Sequence, residues 1–155
     1  MVLADDGGRL EASINAATLA LMDAGIPLKD MVCACSAGRW NAGSGGGEDI
    51  VVDLNWREIQ AATGTGGGGG GAGGAGGTSD TIYLPVATMP QRGTIVLAQC
   101  ESRLSGGVEA FGEVLEAAMG GCQAVMEVMA AAVRERGAGL LKAKEGRADV
   151  LLEDW

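Results

Sequence analysis

Three places in the chain hold residues whose types and spacing could do chemistry. The first is the turn Asp5-Asp6-Gly7-Gly8-Arg9, which runs straight into an amphipathic segment. Free backbone N–H groups at a helix start, backed by the helix dipole, hold phosphate. Gly7, Gly8 and Arg9 are therefore candidate phosphate- or RNA-binding residues. The second is Cys33-x-Cys35, inside the apolar run MVCACSAG. It is not the C-x-x-C spacing of a metal or redox motif, so a reduced, buried pair in a strand is expected. The third is the glycine-alanine run at 64–77. No Lys-Ser/Thr follows it, as a phosphate-binding loop requires. It has no side chains to bury and is expected to be a disordered loop.

The composition narrows the chemistry. The 155 residues suffice for one domain with a modest core. There is no histidine, which removes Ser-His-Asp and Cys-His nucleophile pairs and every His-containing zinc site. The remaining cysteines, Cys100 and Cys122, form no ligand motif, and neither a metal nor a cofactor is expected. A net charge of −9 argues against a freestanding nucleic-acid binder. It does not exclude a subunit whose neighbours bring the positive charge. No run is expected to reach the apolar length of a membrane span, and no signal-peptide pattern opens the chain, so an intracellular protein is expected.

These residues must be positioned by regular elements. Met1 to Ala4 read as the end of a strand, so the chain is expected to be the C-terminal part of something longer, or the product of a truncated gene model. A helix is predicted from Gly8 to Ala24, with Leu10, Ile14, Ala17 and Leu21 as its apolar face. Gly25, Ile26 and Pro27 form its stop. Four strands are predicted in DMVCACSAG, EDIVVDLN, TIYLPVATM and TIVLAQC. The first is apolar on both faces and so central; PQRG joins the last two in a hairpin. Pro85 is expected to mark an edge or a bulge. A long helix is predicted from about Gly106, capped by Ser105, with a stripe from Val108 through Phe111, Leu115 and Cys122 to Val133. The order helix, four strands, helix makes an α+β sandwich.

The motifs DDGGRLEASINAATLALMDAGIPLKDMVCACSAG, VVDLN, LPVATMP and TIVLAQCESRLS, in that order, resemble the RNase PH family. Within it they are most like the exosome ring subunits of the archaeal catalytic lineage, whose eukaryotic members belong to the ribosomal RNA-processing (superkiller) group. The resemblance implies a two-layer α+β fold of the ribosomal protein S5 domain 2-like type. The whole chain, 1–155, would be the second half of that unit, incomplete at its N-terminus and carrying the insert at 64–77.

Active members cleave RNA from its 3′ end with inorganic phosphate and release nucleoside diphosphates. Their helix-start motif reads Asp-Gly-Gly-Thr-Arg; the phosphate-holding arginine falls on Leu10 here, with Arg9 displaced by one position. Their catalytic aspartate falls on Tyr83, and Asp80 lies three residues away. Glu58 follows DLN, and Asp53 within it reads as a strand-end residue. Glu11 in the first turn would repel phosphate while suiting the helix dipole. Both degenerate positions, Leu10 and Tyr83, imply a non-catalytic subunit. Its implied partners are other RNase PH-like subunits in a hetero-hexameric ring, S1/KH cap proteins and single-stranded RNA, with no membrane, in nucleus, nucleolus and cytoplasm. Two alternatives stand beside it: an active phosphorolytic exoribonuclease using Arg9 and Asp80, and a truncated α+β interaction module without independent function.

Overall fold

The computed structural model describes residues 5–41, 48–63, 82–100 and 107–153. Among the described residues, seven α-helices and β-strands follow one another: α1 (Arg9–Asp23), β1 (Cys33–Asn41), β2 (Glu48–Val52), α2 (Trp56–Thr63), β3 (Tyr83–Met89), β4 (Thr94–Ala98) and α3 (Gly107–Glu153), with a 3₁₀ turn at Pro90–Arg92 between β3 and β4. The strands form one antiparallel sheet in the order β2-β1-β3-β4. The fold is α+β, as expected. The expectations for Met1 to Ala4, the 64–77 run, Asp80 and Ser105 fall outside the described residues.

The sheet centre lies where the apolar runs are densest. Residues 33–38 of β1 are all buried, as are Leu84 through Thr88 of β3. Ile82, Leu84 and Val86 pack against Ala110, Val114 and Ala118 of α3. Each large aliphatic side chain buried this way contributes roughly 1.5–3 kcal/mol. Gly121 lets α3 come close: a Cβ there would lie 2.6 Å from Cys35 Sγ and 2.9 Å from a Val52 methyl. The buried stripe of α3 begins at Ala110, not at Val108, which is 83 % exposed.

Pro85 is not on an edge strand, because β3 lies between β1 and β4. The Arg39 N–H donates to Ile82 O, which makes Ser36 opposite Pro85 a non-hydrogen-bonded pair. On its other side the Gln99 N–H, just past β4, donates to Pro85 O at 3.1 Å. The missing proline N–H therefore removes only the reciprocal bond, at the end of the β4 ladder. The sheet irregularity lies instead at Ala87/Thr88.

The predicted apolar face of α1 is corrected as well. Leu10 and Leu21 are each 40 % exposed, while Glu11 and Thr18 are buried. The reason is tertiary. β2 pairs β1 only from Ala37 onward, so among the described residues no strand covers the edge of β1 before it. The Asn15 side chain bonds both the N–H and the carbonyl of Ala34, and the Thr18 hydroxyl donates to Val32 O. Polar side chains of α1 thus replace a strand along that edge. The helix stops as predicted: Gly25 N–H reaches Met22 O and Ile26 N–H reaches Leu21 O, with Gly25 at φ 72.

Two further differences concern helices. α2 has no counterpart in the predicted order. α3 is 47 residues long, about 70 Å. By length and composition its stretch Gly107–Lys144 is also apolar enough to cross a membrane, which corrects the expectation that no run reaches that length. Its first half is a core helix, with Ala110, Val114, Ala118, Cys122 and Met129 buried against the sheet side.

Candidate functional site

The turn before α1 is fixed by close backbone packing. Gly7 has φ 98, and a Cβ on it would lie 2.7 Å from Trp56 N and 2.8 Å from Leu54 O. Only glycine fits both the angle and the space. The Asp6 carbonyl accepts from the Trp56 N–H at 2.7 Å, which ties the turn to the start of α2. That start is itself a capping box. Asn55 Oδ1 accepts from the N–H groups of Arg57 and Glu58, and Glu58 Oε2 accepts from the Asn55 N–H. Glu58 is thus a helix cap, and the Asn-Trp-Arg-Glu spacing was the signal for α2.

The α1 start opens into a groove of about 300 Å³. Gly7, Gly8, Arg9, Leu10 and Tyr83 all line it, so the structure brings together the candidate phosphate-binding residues and both degenerate positions. It adds walls that sequence reasoning missed, namely Trp56, Ile59, Pro85 and Gln99. Trp56 and Ile59 became wall residues because α2 forms.

The groove is poor in positive charge. Leu10 is half-exposed beside it and brings no donor to an anion. Arg9 Nη1 lies 3.4 Å from Asp5 Oδ2, on the exposed lip. Glu11 is only 5 % exposed, and its Oε1 accepts from the Tyr83 hydroxyl at 3.3 Å. Its Oε2 is buried without a hydrogen-bond partner. Gly8 caps α1 with no side-chain acceptor, and its missing Cβ would lie 3.7 Å from Asp53 Oδ1 and 3.9 Å from Glu11 Oε2. Asp53 sits at φ 61 just past β2, its N–H donating to Ser36 O. The helix N-terminus that could favour a bound phosphate therefore faces the chain's own carboxylates.

The cysteine pair belongs elsewhere. Cys33 and Cys35 are buried on the α3 side of β1, with Cys122 buried opposite them and all three free. Burial, and then the neighbouring Cys122, push the thiols of Cys33 and Cys35 up to about 11 from an ordinary 9.0. For Cys35 the carboxylates of Asp53 and Glu11 add to the rise. Burial also raises Cys122, whose Sγ lies 3.6 Å from Val86 O. These are neutral, packed thiols, not thiolate ligands. Among the described residues no group of three or more Cys, Asp or Glu is arranged to hold a metal ion.

No protein-family model matches the chain. It is similar to the exosome complex component Rrp41 of Pyrococcus furiosus, 35 % identical over 145 residues, which are 94 % of this chain and 48 % of that protein. Against exosome complex component RRP41 of Mus musculus it is 37 % identical, over 86 % of this chain and 44 % of that protein. Against the RRP41 homolog of Arabidopsis thaliana it is 36 % identical, over 81 % of this chain and 42 % of that protein. The chain thus spans about half the length of the curated relatives it matches. Its fold matches the crystal structure of rice (Oryza sativa) Rrp46 with a TM-score of 0.63, over 86 % of this chain and 51 % of that one, at 20 % identity. Over the residues shared with them, the chain is similar to these exosome subunits of the RNase PH family and carries an RNase PH-like α+β fold.

Proposed function

We propose that this chain is part of a non-catalytic RNase PH-like subunit of an RNA exosome, supporting 3′–5′ RNA processing and degradation. One observation carries the reading: the groove at the α1 start holds Leu10, Tyr83 and the buried Glu11, where phosphorolysis needs a cation for phosphate and a free carboxylate at the scissile bond. A carboxylate held beside the helix N-terminus opposes a second anion there. Gly7 keeps the turn seated on α2, so the site survives as scaffold after its chemistry is lost. The residues 1–155 would be the second half of the ring unit. The partners would be other RNase PH-like subunits, S1/KH cap proteins and single-stranded RNA, in nucleus and cytoplasm. The negative charge of the chain would leave the RNA path to more basic neighbours.

The test is phosphate-dependent release of nucleoside diphosphates from a 3′-tailed RNA, with the intact protein assembled with its ring partners. The proposal expects no release that depends on this subunit's groove. Release that is abolished by Asp80→Ala or Arg9→Ala would overturn it. Failure of the intact protein to co-purify with any RNase PH-like subunit would overturn the ring assignment.

A further inference from the structure

The groove's described lining does not suit phosphate, yet it is not neutral. Three carboxylates surround the α1 start: Asp5 on the lip, Glu11 beneath it and Asp53 behind Gly8. The cation at hand, Arg9, is 68 % exposed and turned to Asp5 on the outer lip. Glu11 is the decisive member. It is 5 % exposed, it lines the groove, and Oε2 has no hydrogen-bond partner. The field of a carboxylate away from water is weakly screened, so low-dielectric walls focus it into the cleft.

The walls decide which cation fits. Trp56, 48 % exposed, and Tyr83 bring aromatic surface to the groove, with Leu10, Ile59 and Pro85 around them. Among the described residues no set of three carboxylate or thiol ligands converges there to hold a bare metal ion. Aromatic walls with nearby carboxylates suit a nitrogen cation, held by charge, N–H donation and cation–π attraction together. We infer that the groove between α1 and α2 is a seat for an organic cation, an alkylammonium or guanidinium group, in the place where the fold would otherwise hold phosphate. The group could arrive on a free polyamine or on a Lys or Arg side chain of a partner. The inference rests on the reading that this groove no longer takes phosphate.

The probes are spermidine, argininamide, magnesium chloride and inorganic phosphate, each titrated into the intact protein at constant ionic strength and followed by backbone amide shifts and calorimetry. Saturable binding of spermidine or argininamide, centred on residues 7–11 and Tyr83, is expected. Preference for spermidine would point to a free polyamine, and preference for argininamide to a partner's side chain. Glu11→Gln keeps an acceptor for the Tyr83 hydroxyl and removes the charge; it should weaken binding at least tenfold. Asp5→Asn, on the exposed lip, should weaken it several-fold and serves if the buried variant fails to fold. No binding by either organic cation, tighter binding of magnesium, or binding indifferent to both variants would overturn the inference while leaving the non-catalytic reading intact. Saturable phosphate binding at residues 7–10 would overturn both.

Discussion

The thiol cluster and the α1 groove lie on opposite sides of β1, and each holds residues that could do chemistry. They differ in how completely their polar atoms are satisfied. Cys33, Cys35 and Cys122 are small, buried and neutral, and their sulfurs rest near Met129 Sδ, Ser36 O and Val86 O. Nothing in that cluster is left wanting a partner. In the groove, one oxygen of a buried carboxylate has none, and two more carboxylates stand nearby. A satisfied cluster is core whatever its residue types, whereas an unsatisfied one still has binding energy to release.

The largest effect should come from titrating the thiols. Cys33 and Cys35 are raised in the folded state, so their stability contribution is fully present below pH 9.0 and is lost as pH rises towards about 11. Each should cost on the order of 2 kcal/mol across that window. Chemical denaturation at stepped pH measures it, and Cys33→Ala should flatten the fall. A flat profile from pH 9 to 11 would mean that the cluster is open to water.

Gly7→Ala should come next. It would place a Cβ against the backbone of Leu54 and Trp56 at a φ that alanine resists, and should destabilise by about 3 kcal/mol. A melting curve close to wild type would show that the turn is not seated on α2.

Glu11→Gln should act in the other direction. Replacing a buried carboxylate, one oxygen of which has no hydrogen-bond partner, with a neutral amide should stabilise by about 1 kcal/mol, with a rise in Tm. A fall would show that the carboxylate is paired in solution, and the contrast between the two regions would shrink. The smallest effect should be Arg9→Ala. Its ion pair with Asp5 is solvent-screened, so under about 0.5 kcal/mol is expected from denaturant midpoints.

The sequence already held the pairing of Leu10 with Tyr83, because both lie in motifs whose order and spacing are specific. Their meeting in one groove follows from the register of β1 with β3 and the placement of α1. Three things were not legible. The buried face of α1 is polar because it bonds an edge of β1 that no described strand covers, and no local periodicity encodes that. Pro85 reads as an edge residue until the hydrogen-bond alternation of β1 and β3 is known. Glu11 was visible as a first-turn acid, but its burial and its bond to Tyr83 depend on residues 72 positions apart. α2 was legible in principle, since Asn55 and Glu58 spell its capping box.

The central claim is that this helix start has ceased to be a phosphate site. Inorganic phosphate titrated into the intact protein, with the amides of Gly7, Gly8, Arg9 and Leu10 observed by NMR, tests it most directly. The account predicts no saturable shift at these amides beyond that caused by an equal ionic strength of chloride. A saturable shift at Gly8 and Leu10 that is lost in Arg9→Ala would contradict it.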